Sequence, residues 1–80
     1  EFYPNPMNEN SSFELSGVEN GETQLRIIDV TGKVCEQQTF QHMNHSSLQI
    51  NASNFDNGIY FYQFLQEGLL LGNGKFVVNK

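Results

Sequence analysis

Apolar and polar residues alternate with a period of two along most of this chain, and the alternation predicts a series of short strands. Ser12 to Ser16 places Phe13 and Leu15 on one face. Leu25 to Val30 sets Leu25 and Ile27 on one side and Ile28 and Val30 on the other. Lys33 to Phe40 is mostly polar and reads as an outer or edge strand. Leu48 and Ile50 alternate with Gln49 and Asn51. Ile59 to Leu65 is apolar on both faces, with Ile59, Phe61 and Leu65 pointing one way and Tyr60, Tyr62 and Phe64 the other. A run covered on both sides is the signature of a central strand. Leu69 to Leu71 is expected as a short strand, and Lys75 to Asn79 as the last, with Phe76 and Val78 inward.

Glycines punctuate these runs. Asn20-Gly21, Thr31-Gly32, Asn57-Gly58, Glu67-Gly68 and Asn73-Gly74 all read as turns, because glycine enters positive φ without a Cβ clash. The polar stretch from Gln41 to Ser47 supplies another break. No window carries an apolar stripe at helical spacing with caps. Short strands with turn signals at this spacing predict an all-β sandwich or barrel, formed as one unit over the whole chain, residues 1–80.

Composition narrows the function. The single Cys cannot close an internal disulfide. Nine acidic residues against four basic ones give a net charge of -5, too few cations for a phosphate-tracking stripe, so no nucleic-acid partner is expected. No apolar run reaches the roughly 18 residues of a membrane helix, so no direct membrane insertion is expected. Gly32-Lys33 and Gly74-Lys75 lack the Ser or Thr and the upstream Gly of a phosphate loop, and both are expected to be hairpin turns. His42, His45 and Cys35 are the metal-ligand candidates, but the histidines read as solvated loop residues and Cys35 as a free thiol on a strand. The carboxylates Glu9, Glu14, Glu19, Glu22, Asp29, Glu36, Asp56 and Glu67 are scattered and read as surface, with Asp56 bonding locally in its turn. No nucleophile–base pair, metal set or cofactor motif emerges, and no catalytic residue is assigned.

The specific signal lies in four short motifs. Tyr3-Pro4-Asn5-Pro6 is a stiff, extended lead-in. Leu25 to Val34 is a strand, a tight turn around Gly32-Lys33 and the start of a second strand. Phe55-Asp56-Asn57-Gly58-Ile59-Tyr60 opens onto the central strand, and the chain finishes Gly74-Lys75-Phe76-Val77-Val78-Asn79-Lys80. In this order and spacing they resemble the type A C-terminal sorting domain of the type IX secretion (Por secretion) system of Bacteroidetes. Phe55 stands where that pattern usually has Leu, and Leu69-Leu70-Leu71 is more apolar than its last hairpin, which predicts an exposed apolar patch.

The resemblance implies an immunoglobulin-like β-sandwich of about seven antiparallel strands that serves as a folded secretion signal. It implies a covalently attached N-terminal cargo, passage from the periplasm through the outer-membrane translocon with its shuttle proteins, and removal by a surface sortase. The cargo is then attached to the cell surface or released. Carried over onto this chain, the recognition residues are Pro4, Asn5, Pro6, Gly32, Lys33, Gly58, Tyr60, Lys75, Phe76, Val77, Val78 and Lys80. Because the chain opens at Glu1-Phe2 without Met or signal sequence, it is expected to be the tail of a longer cargo, with Lys80 its natural end. The rival reading is a carbohydrate- or protein-binding accessory module, which predicts an exposed aromatic platform among Tyr3, Tyr60 and Tyr62.

Overall fold

In the computed structural model, which describes residues 2–3 and 10–79, two antiparallel sheets face each other. The strands are β1 (Phe2–Tyr3), β2 (Asn10–Ser16), β3 (Gly21–Asp29), β4 (Val34–His42), β5 (His45–Asn51), β6 (Gly58–Gln66) and β7 (Leu69–Val78), with a short 3-10 turn at Ala52–Asn54. One sheet runs β1-β2-β5 and the other β4-β3-β6-β7. This is the expected immunoglobulin-like sandwich of seven strands, although β1 has only two residues.

The period-two pattern decides which side chains go inside. Phe13 and Leu15 of β2, Leu25 and Ile27 of β3, Leu48 and Ile50 of β5, Tyr60 and Phe64 of β6, and Phe76 and Val78 of β7 form one buried cluster with Phe55. Burying side chains of this size stabilises the fold by roughly 1.5–3 kcal/mol each before chain entropy is subtracted. Phe13 stands at the centre. It crosses from the three-stranded sheet to meet Tyr62, Phe64 and Phe76 edge-on, with ring centroids 5.2, 6.3 and 5.7 Å away. A second stack runs Phe55–Tyr60–Phe76 at 5.0 and 5.7 Å.

The two hairpins form where the turn signals stand. β3 and β4 are joined around Gly32, at φ 92°, and β6 and β7 by Glu67 and Gly68, at φ 50° and 79°. Positive φ at both central residues is the two-residue turn that matches strand twist. The connections from β2 to β3, β4 to β5 and β5 to β6 change sheets. Between β2 and β3, the crossover is tied down by Gln66 Nε2, which donates to Glu19 O at 2.6 Å and to Thr23 Oγ1 at 3.0 Å. β4 passes to β5 through Met43 and Asn44 alone, with Asn44 at φ 63° and its N–H bonded to Asn20 Oδ1 at 2.7 Å.

Three expectations change. Asn73-Gly74 is not a turn, and Gly74-Lys75 is not a hairpin, because β7 runs unbroken from Leu69 to Val78. Gly74 lies across from Tyr62, and a Cβ there would come within 2.6–2.7 Å of the Tyr62 ring. The glycine is thus a seat for an aromatic ring rather than a bend. His42 is not a solvated loop residue either. It ends β4 fully buried, with Nδ1 2.6 Å from Ser46 Oγ, while His45 is exposed and 2.7 Å from Glu14. Finally, β6 is an interior strand as expected, but its outer face is open: Ile59 and Phe61 are exposed while Tyr60 and Phe64 are buried. Pro4, Asn5, Pro6 and Lys80 lie outside the described residues.

The seat at Gly74 yields a direct test. Gly74→Ala should destabilise the domain by about 1–3 kcal/mol by pushing the Tyr62 ring off Phe13. Gly72→Ala, with nothing within 4 Å of the added methyl, should stay within about 0.5 kcal/mol of wild type in urea unfolding.

Candidate recognition surface

Three of the four sequence motifs meet at one end of the four-stranded sheet. The pairing of β3 with β6 sets Asp29 opposite Tyr60, and that of β6 with β7 sets Tyr60 opposite Phe76 and Gly58 opposite Val78. The β3–β4 turn, the entry to β6 and the final strand therefore close on each other although they are far apart in sequence. A groove of about 410 Å³ between the β3–β4 turn and the entry to β6 is lined by residues that include Asp29, Lys33, Cys35, Phe55 and Tyr60.

Within this end the motif residues divide by role. Gly32 holds the left-handed position of its turn, and Gly58 opens β6 at φ 151°, where other residues are strained. Tyr60 is 7% exposed, stacks between Phe55 and Phe76, and donates its hydroxyl to Asp56 O at 2.7 Å. Burial, followed by electrostatic repulsion from Cys35 and Asp56, pushes its phenol above the ordinary value. Phe76 and Val78 fill the core. Lys33 and Lys75 are exposed, and Val77 is partly exposed on the same face as Lys75. Among the described residues β7 stands at one end of its sheet's strand order, beyond β6.

Asp29 is the residue that sequence reasoning underrated as plain surface. Its Oδ1 accepts from Thr31 N at 2.9 Å, Thr31 Oγ1 at 2.6 Å and Lys33 N at 3.0 Å, and its backbone closes the turn with Lys33 and Gly32. The signal was present as an Asp three residues before a Gly, the pattern of a side chain that caps its own turn. The Thr31 hydroxyl, then the Lys33 N–H, hold the carboxyl below its ordinary value.

The metal candidates do not converge. Cys35 and His42 stand seven residues apart on β4, about 23 Å along an extended strand, with Cys35 exposed and His42 in the core. Nor do the tyrosines make a platform, since Tyr60 is buried and Tyr62 leans on Phe13, while the Tyr3 side chain lies outside the described residues.

At this end, then, the motif residues set turns, fill the core and display two lysines. A family model, that of the secretion system C-terminal sorting domain, matches residues 1–79. The chain belongs to this family, the C-terminal sorting signals of type IX secretion, which act with the secretion machinery and direct export to the cell surface or beyond. Neither the curated proteins nor the solved structures contain a match to the chain.

The depressed Asp29 carboxyl makes a pH-dependent prediction. A carboxyl lowered on folding contributes stability above its unfolded value and loses it as pH falls through the folded one. Asp29→Ala should therefore melt below wild type at pH 7, and the gap should narrow once pH drops below 3.8.

Proposed function

We propose that this domain is a folded address label read chiefly at its last strand. The position of β7 carries the reading: among the described residues it ends its sheet, with Lys75 and Val77 outward and Phe76 and Val78 locked in the core. The outward Lys75 and Val77 side chains present an extended strand for capture, and the Lys75 and Lys80 side chains add charged handles. Pro4, Asn5 and Pro6 stand, by sequence, on the cargo side of the domain. The turn residues Gly32, Lys33 and Gly58, with Tyr60 beneath, hold the end of the sandwich that presents the strand.

In this reading a covalently linked N-terminal cargo transits the periplasm, is handed by the type IX translocon and its shuttle proteins across the outer membrane, and is freed from the domain by a surface sortase. The cargo is then anchored or released. The domain itself performs no catalysis and holds no cofactor; the chemistry belongs to the sortase.

The test is a periplasm-targeted fluorescent reporter fused ahead of the domain in a type IX-competent host. Wild type should reach the surface, lose the domain and stay periplasmic in a translocon mutant. Deleting residues 75–80 should trap the reporter, but it also strips Phe76 and Val78 from the core. Lys75→Ala/Lys80→Ala leaves those core residues in place and should cut surface signal about tenfold. Surface display at the wild-type level by both variants would sink the proposal.

A further inference from the structure

The outer face of the four-stranded sheet is apolar at the end where the motifs gather. The strand register places Val34 beside Ile28, Ile28 beside Phe61, Phe61 beside Lys75, and Ile59 beside Val77. Val30 is 68% exposed, Ile59 46%, Val34 44%, Phe61 42% and Val77 37%, so the apolar positions form one open patch across all four strands rather than isolated surface residues. A shallow groove of about 540 Å³ runs over it, bordered by Ile28, Val30, Phe61 and Lys75. Contiguous apolar surface of this kind in a small domain marks a contact site.

Charge selects the occupant. The next row outward is Gln37, Arg26, Gln63 and Asn73, so the face carries Arg26 and Lys75 and no carboxylate across these rows, on a chain of net charge -5. Asp29 borders the groove, but its Oδ1 is engaged by Thr31 and Lys33. A second copy of the chain would stack two such faces, bringing Arg26 and Lys75 against the same residues with no carboxylate between them. The complement of this face is an apolar ridge flanked by carboxylates.

From these observations we infer that the outer β4-β3-β6-β7 face is a docking surface for a protein component of the export machinery whose contact is an apolar ridge carrying acidic side chains. This contact is separate from capture of the β7 edge, and it rests on the reading of the domain as a sorting signal. The apolar patch supplies the burial, and Arg26 with Lys75 fixes orientation and makes association depend on salt.

The experiment measures binding of the reporter–domain fusion to purified type IX translocon in detergent. The variant Val30→Thr/Phe61→Thr keeps strand-forming residues and all the lysines; Val30→Thr/Val34→Thr, which leaves β6 untouched, backs it up. Either variant, melting like wild type, should bind at least tenfold more weakly, and wild-type affinity should fall between 50 and 500 mM NaCl. Wild-type affinity in both folded variants overturns the docking face while leaving strand capture standing. No binding by wild type fails both readings together. A wild-type dimer in sedimentation that the variants dissolve, or phosphatidylglycerol vesicles that bind the wild type as tightly as the translocon does, would assign the face to a second copy or to a lipid surface and overturn the inference.

Discussion

The structure depends on one aromatic contact between its sheets. Phe13 is fully buried and reaches from the three-stranded sheet into Tyr62, Phe64 and Phe76 of the other. A domain of 80 residues has little core to spare, and chain entropy cancels most of what burial contributes. Concentrating large rings at the centre is how so short a chain recovers a margin. The glycine at 74 follows from the same constraint, because the Tyr62 ring that meets Phe13 occupies the space a side chain would need.

That constraint also organises the recognition end. In β7, alternate residues are committed to opposite tasks: Phe76 and Val78 lock the strand to the core, while Lys75 and Val77 face outward. The inward pair anchors the strand, and the outward pair stays accessible to solvent. The Asp29 turn beside it is fastened by its own side chain and needs little from the core.

The outer face shows what a thin sandwich leaves uncovered. With one sheet on one side and nothing among the described residues on the other, Phe61 and Ile59 stay open although they belong to an interior strand. At the far hairpin Leu69 and Leu70 are exposed too, as the triple leucine suggested, whereas Leu71, at the register shift, packs on the core. Apolar surface that the fold does not cover is available to a partner.

Local chemistry was legible along the chain. The parity of Phe13, Leu25, Ile27, Leu48, Ile50, Phe76 and Val78, the polar edge strand and the turns at Gly32 and Gly68 all depend on neighbours a few residues away, so the alternation reveals them. Tyr60 was legible as core, and the motif set was legible as a family resemblance. What misled was local information with a nonlocal cause. Asn73-Gly74 has the composition of a turn, yet its glycine answers to a ring on another strand. His42 sits in a polar run, yet the run bends from one sheet to the other and carries it into the core. Parity says which residues share a face of a strand; only strand order and sheet stacking decide whether that face meets another sheet or stays open. Hence the sequence by itself determined most of the strands, most of their inward residues and the family. The tertiary structure alone decided that β7 pairs with β6 at one end of the described sheet, that three motifs share one end, and that Phe61 looks outward, because each of these depends on pairing between segments that the chain places far apart.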